Sequence, residues 1–425
     1  MPDRTDLDER LAAGRQRLVD SIEQPPLAQI TARATTLRRR RRAAELGGSL
    51  TAVLAVILLA VQWLHPTAGS PPGGGHGSAA PAPVWRGLGI TLTGLPGTAT
   101  ELPGDVVDVQ FADTDHGYLL TASCPSRGDC AVGFAATVDG GQSWQVRVLP
   151  AGMRGAPADH LPRLWAATNW VVVASGEAAS PVSPQSTAPS VSTDGGVTWT
   201  LVPADTNVVS VPSGGLFWLD TATGQVRVWL GEAGSAQLHD QPPISVRWVA
   251  ATRAGDGAWW AGGVGSDGHA AVAVTRDGGE NWQTLSLADA GPDVYEVRVA
   301  TLGRTVYAAA LGPPGPVGTI HREIRAIYHS TDGGTTFQRT FYGGVPGTLA
   351  GDLIPLADDR LLLAAADRHW YVSADHGATF ADAPDLLAVS RFARTQAGYV
   401  AYDLLGGGWC AFSVDGVSWV KLNVK

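Results

Sequence analysis

Residues 137–144 read TVDGGQSW, a carboxylate, two glycines that let a ligand approach the backbone, and an aromatic ring to stack on it. The pattern returns as STDGGVTW at 192–199, TRDGGENW at 275–282, STDGGTTF at 330–337 and SADHGATF at 373–380, and a shortened SVDGVSW closes the series at 413–419. These are either six sites or six fasteners. Calcium is the chemistry such turns could do, yet one carboxylate per copy supplies too few oxygens for a hard cation. A tight hairpin does need these residue types. Gly140 and Gly141 take positive φ without steric cost. Thr137 and Asp139 can bond turn N–H groups, and Trp144 can open the next strand and bury its ring between units. The pairs Asp139 and Trp144, Asp194 and Trp199, Asp277 and Trp282, Asp332 and Phe337, Asp375 and Phe380, and Asp415 and Trp419 are therefore read as structural.

Other residues with chemical potential are few. Cys124 and Cys130 flank five residues and are expected to form a disulfide in an oxidising compartment. The loop between them holds Arg127 and Asp129 within an RGD tripeptide, a candidate contact at a ligand face. HREIR places His321, Glu323 and Arg325 on one side of a strand, either a solvated face or a polar cluster for a ligand. Cys410, between Trp409 and Phe412, reads as a buried core residue. Three cysteines and no suitably spaced histidine exclude a zinc site, so neither metal nor cofactor is expected.

The elements that must position these residues are strands. From residue 85 onward the chain alternates apolar runs such as VVDVQFA, WVVVAS, AAVAVTRD and TVYAAAL with turn residues, and shows no convincing helix. The closing aromatics at 144, 199, 282, 337, 380 and 419 lie 39 to 55 residues apart, except for one interval of 83 that contains LFWLDTATGQVRVWLG. Counting that interval twice gives seven units, each near the size of a four-stranded blade. An all-β, seven-bladed β-propeller over 85–425 is predicted. The repeat S/T-x-D-G-G-x-x-W/F resembles the Asp-box, or BNR, repeat of sialidases, sortilin-type receptors and photosystem II assembly propellers. That resemblance implies that each box is the hairpin between the third and fourth strands of a blade. Insertions between second and third strands would then decorate the opposite face. SCPSRGDCAVG (123–133), SGEAASPVSPQSTAPSVS (175–192) and LGPPGPVGTIHREIRAIY (311–328) are such insertions, and a ligand face is expected there.

Upstream, residues 46–64 form nineteen uncharged positions, LGGSLTAVLAVILLAVQWL, enough for one transmembrane helix. Five consecutive arginines at 38–42 precede it, and the next charged side chain is Arg86. The positive-inside rule places a partly helical, basic-ended arm (1–45) in the cytoplasm, a Pro/Gly-rich linker (65–84) outside, and the propeller (85–425) as an ectodomain. The whole chain carries −9, but residues 1–46 hold ten Arg against seven acids, leaving −12 on the rest. An acidic ectodomain disfavours nucleic acid. Only Lys421 and Lys425 are lysines, a bias that suggests a GC-rich bacterial source.

Sialidases use the same repeat, so hydrolysis is the enzymatic alternative. That resemblance would require an arginine triad, a Tyr–Glu pair and an acidic proton donor. The R-I-P motif is absent, and strand alternation separates Tyr295 from Glu296. The sequence therefore favours a non-catalytic surface propeller that binds a protein or a glycan. A glycoside hydrolase and a transmembrane sensor are the alternatives.

Overall fold

Runs such as Ala270–Thr275 are buried along their whole length. Such a strand needs neighbours on both faces, and sheets stacked against sheets supply them. The computed structural model describes residues 82–95, 102, 104–125, 129–158, 160–174, 188–203, 206–315, 321–403 and 408–424. The arm (1–45), the apolar span (46–64), nearly all of the linker, Arg127 and most of the 175–192 insertion lie outside the described residues. Among the described residues no helix is long and apolar enough to cross a membrane.

The strands form seven sheets, the blades of a β-propeller. Blade 1 runs inside to outside as Asp105–Phe111, Gly117–Ser123, Cys130–Thr137 and Gln145–Arg147. Blades 2, 4, 5, 6 and 7 repeat this meander, starting at Arg163–Ala167, Ser245–Val249, Glu296–Leu302, Ile354–Pro355 and Arg391–Arg394. Second strands such as Gly117–Ser123 are buried over nearly their whole length, whereas outer strands such as Gln145–Arg147 are largely exposed.

Blade 3 departs from the expected meander. Its inner three strands are Leu216–Asp220, Gln225–Trp229 and Ser235–Leu238, but its outer strand, Thr206–Val208, comes from the preceding chain and runs parallel to its neighbour. Residues 214–216, where the innermost strand begins, line the same cavity as the first-to-second-strand turns of blades 1 and 2. This blade is therefore traversed in the opposite sense, which leaves no third-to-fourth hairpin to hold a box.

The ring closes at blade 7. Ile90–Gly94 runs parallel to the C-terminal strand Ser418–Lys421, and Val84–Gly87 folds back on it, making a six-stranded sheet. The polar edge of blade 7 is thus covered by a hairpin.

Candidate functional site

The six repeated hairpins share one hydrogen-bond pattern. Thr137 Oγ1 donates to Asp139 Oδ1 (2.7 Å) and accepts from Gly141 N (2.9 Å), while Asp139 Oδ1 accepts from Ser143 N (2.9 Å). Ser192 with Asp194, Thr275 with Asp277, Ser330 with Asp332, Ser373 with Asp375 and Ser413 with Asp415 repeat the hydroxyl–carboxylate bond at 2.7–3.1 Å. The Thr198 hydroxyl and amide, with the Ser192 hydroxyl, hold the Asp194 carboxyl down at about 2. Asp277, bonded by the Asn281 amide and side chain, also lies well below the usual carboxylate range. The hydrogen bonds that these carboxylates accept come from their own turns.

The ring that follows each hairpin packs against an aromatic of the preceding blade in five of the six copies. Trp199 meets Phe134 (5.4 Å between centroids), Trp282 meets Phe217 (5.9 Å) and Phe337 meets Trp260 (6.4 Å). Phe380 meets Phe341 (6.1 Å) and Trp419 meets Trp370 (5.3 Å). Trp144 instead touches Phe111 of its own blade, which stacks on Phe412 of blade 7 at 4.1 Å. Gly140 N donates to Asp115 O and Gly333 N to Arg304 O, so the hairpins share an end with the first-to-second-strand turns. We call this the turn face, and the opposite end the loop face.

At the loop face the innermost strands of all blades but blade 3 begin, and charged residues stand at or near their starts. Glu296, buried, pairs with Arg298 (Nε–Oε1 2.5 Å) and with Arg322 (Nε–Oε2 2.9 Å). Arg298 also reaches Asp352 at 3.7 Å. Asp352 Oδ2 in turn accepts the Arg394 amide at 2.9 Å. Buried Asp108 accepts the Leu164 amide at 2.8 Å across to blade 2. Arg391 lies over Tyr402, 6.0 Å from the ring centroid. Tyr402, Asp352, Asp108 and Glu296 together push its pKa up against the opposing effect of burial. Two innermost strands carry a β-bulge here, between Val106 and Asp108 and between Val246 and Trp248. The second re-aims Arg247 so that its guanidinium lies 4.9 Å from the Tyr295 ring centroid, while Arg322 approaches the same ring at 5.3 Å. Arg163 and Arg247 are exposed. Arg322 Nη1 is buried without a hydrogen-bond partner.

The residues singled out from sequence fall in two places. His321–Ser330 is the third strand of blade 5, lengthened at its start, where Thr348–Ala350 pairs with it. Arg325 pairs with Glu323 at 2.9 Å, and His321 is half-buried. Asp129 is exposed in blade 1, with two blades between it and blade 5 on the shorter path around the ring, so these residues do not form one site. Cys124 and Cys130 are joined as a disulfide in the blade 1 loop, and Cys410 is buried and free. Arg322, inside HREIR, is the residue of that strand that joins the cluster. Tyr295 and Glu296, separated along the chain by alternation, both contact it. A repeat-phased signal existed for the rest: Asp108, Arg163, Arg247, Glu296, Asp352 and Arg391 all lie in or next to the innermost strand of their blade.

No known protein-family profile matches the sequence, and no curated protein matches it. Solved propellers are similar at the level of the chain trace. YCF48 from Cyanidioschyzon merolae shares 14% identity over 75% of this chain and 95% of its own, with a TM-score of 0.43. YCF48 bound to D1 peptide shares 18% over 83% and 89%, with a TM-score of 0.32. The WD40 propeller domain of Doa1 shares 12% over 72% and 92%, with a TM-score of 0.38.

Proposed function

We propose that this chain is a membrane-tethered, Asp-box-type β-propeller that recognises a protein or glycan partner without catalysis, through carboxylates presented to the loop-face arginine cluster. One observation carries the reading. Arg163 and Arg247 offer exposed guanidiniums at the channel mouth, while Asp108, Glu296 and Asp352 are each already bonded to a guanidinium or a backbone amide. Arginine forks match carboxylate geometry, and guanidiniums beside Tyr295 form the kind of aromatic–cation anchor that dominates interfaces. Apart from sialidase-type enzymes, which use a tyrosine nucleophile, a glycoside hydrolase needs two carboxyl groups roughly 5–10 Å apart and free to exchange protons, and the cluster's acids are committed to structural partners. The basic run at 38–42 and the uncharged span at 46–64 support the tether and the outward orientation of the propeller.

The test is affinity purification of the full chain from its own membranes, with the parent protein compared with a variant carrying Arg163→Glu and Arg247→Glu. The partner is expected to be lost from the variant and kept by a turn-face control, Glu280→Arg. Turnover in a fluorogenic glycoside panel that one Asp or Glu substitution abolishes would instead make the protein a hydrolase.

A further inference from the structure

The turn face carries a feature independent of the arginine cluster, where the hairpin of blade 6 meets that of blade 5. Three other blade boundaries have a polar link beside the closing ring. Trp199 Nε1 and Trp282 Nε1 donate to Val148 O and Asp240 O of the preceding blade at 3.1 and 3.0 Å. Phe337 has no N–H to give, and there Arg276 Nη2 of the blade 4 hairpin donates to Gly333 O at 2.8 Å. The blade 6 hairpin also closes on a ring without a donor, Phe380, and the residue at the place of Gly333 is His376.

In the other five hairpins the residue after the Asp is Gly140, Gly195, Gly278, Gly333 or Gly416, with φ between +70° and +79°. His376 holds φ +60° with a side chain attached, a conformation that residues with a Cβ adopt seldom and at a cost. Its imidazole lies flat on that of His329, the centroids 4.4 Å and the planes 4° apart. His329 lies in turn on Tyr307, its cross-strand partner, at 4.8 Å. The column runs from buried Tyr307 in the second strand of blade 5, through half-buried His329 in the third, to exposed His376 in blade 6.

Few free charges face this column. Gln338 stands opposite His329 on the outer strand. Asp332 and Asp375, the acids of the two hairpins, are held by the amides and hydroxyls of their own turns. In the first-to-second-strand turn of blade 6, Asp358 pairs with Arg360 at 2.8 Å, which leaves Asp359 as the carboxylate that acts on the column. Burial first, and then the charge of His376, hold the His329 pKa below its ordinary value against Asp359. Tyr307, pushed up to about 12 by burial and by Asp359, stays neutral. Tyr307 and Asp359 also line an open hollow of about 420 Å³, so the inward side of this boundary is unfilled. On the outward side Phe380 packs on Phe341 at 6.1 Å.

We propose that the His329–His376 stack is an acid-released catch: neutral rings hold the blade 6 hairpin against blade 5, and protonation frees the hairpin while the blades stay folded. Two imidazoles stacked flat at this separation cannot both carry a proton without strong repulsion. His376, exposed and in the left-handed region, is the ring that leaves. The packing of Phe380 on Phe341 confines the movement to the hairpin. In the open state both rings charge near their free value of about 6.5. The closed state resists that proton, so opening is favoured as pH falls below about 6.5. One extra proton raises the opening constant by about tenfold at most between pH 7.5 and 5.5.

The experiment is hydrogen–deuterium exchange of the purified full chain at pH 7.5 and 5.5, corrected for the intrinsic pH dependence of exchange and read by mass spectrometry. Peptides covering 373–380 are expected to open severalfold more at pH 5.5, with peptides from blades 1 to 3 unchanged. His376→Gly, which installs the residue of the other five hairpins, should abolish that pH response. His329→Phe keeps a stacked ring without a charge, and should leave the hairpin closed at both pH values. In an imidazole NMR titration of histidine-labelled chain, the His329 signal should titrate at higher pH in His376→Gly than in the parent. An equal pH response in the parent and His376→Gly, acceleration spread over every blade, or no acceleration in the parent overturns the proposal. His376→Gly relieves backbone strain, so it reports even where His329→Phe misfolds.

Discussion

At the scale of single residues, the hydroxyl that opens each repeated hairpin is more critical than the carboxylate that gives the motif its appearance. Thr275 is buried and its Oγ1 accepts the Gly279 amide at 2.8 Å inside the blade. Thr275→Val keeps the shape and leaves that amide unpaired, so it should cost about 1–3 kcal/mol in denaturant unfolding. The carboxylates act through pH. Asp194, Asp277 and Asp332 all lie below the usual carboxylate value because their turns donate hydrogen bonds to them. The unfolded chain therefore takes up protons first as pH falls. Stability from these groups is complete above an unfolded pKa of about 3.9 and is lost as pH drops toward the folded values. Replacing Asp277 by Asn should flatten that acid limb in melting temperatures recorded between pH 6 and 2, and an unchanged slope would contradict this. Histidine gives a second window. His376 takes φ +60° where the other hairpins have glycine, and its ring stacks on His329 of blade 5 at 4.4 Å. Burial, then the His376 charge, lower the His329 pKa against a smaller opposing effect of Asp359. The folded state thus favours neutral His329, and stability should decline as pH falls from about 6.5. His376→Gly should reduce the difference in melting temperature between pH 7.5 and 5.

At the scale of elements, the N-terminal hairpin matters beyond its size. Val84–Gly87 and Ile90–Gly94 cover the edge of Ser418–Lys421. Removing residues 82–95 should lower the melting temperature and promote self-association through the bared edge, read by light scattering. A monomeric truncation melting like the parent would show that the edge is protected in another way. Much of this layer was legible in sequence. The boxes counted blades because each hairpin needs the same turn residues and the same wedge ring. Blade 3 was legible only as a missing box, because its reversed path depends on a parallel pairing of Thr206–Val208 that no local pattern announces. The bulge at Arg247 was hidden for a related reason: a bulge is a mismatch between two strands, and one strand's sequence does not show it.

At the scale of the whole molecule, the channel mouths are built from residues far apart in the chain. Their ends were harder to read than their walls. Arg298 of blade 5 meets Asp352 of the segment leading into blade 6, and Gln396 of blade 7 meets Ala251 of blade 4, the second a contact that exists only once the ring has closed. HREIR drew attention to blade 5 for His321, Glu323 and Arg325, whereas the pairing of Arg322 with buried Glu296 required the fold. The chain's orientation can be tested through its own cysteines. Of its three, Cys124 and Cys130 form a disulfide and Cys410 is a buried thiol. Such a disulfide persists only on the oxidising side of a membrane. With the propeller outside, a denatured sample trapped without reductant should take up a single maleimide-polyethylene-glycol label, at Cys410, and a reduced one should take up a label at each cysteine. Replacing the arginines at 38–42 with uncharged residues removes the charge asymmetry across the 46–64 span. A fraction of chains should then insert the other way and carry three labels without reductant. A parent chain that already carries three labels under those conditions would place the propeller in the cytoplasm and overturn the proposed topology.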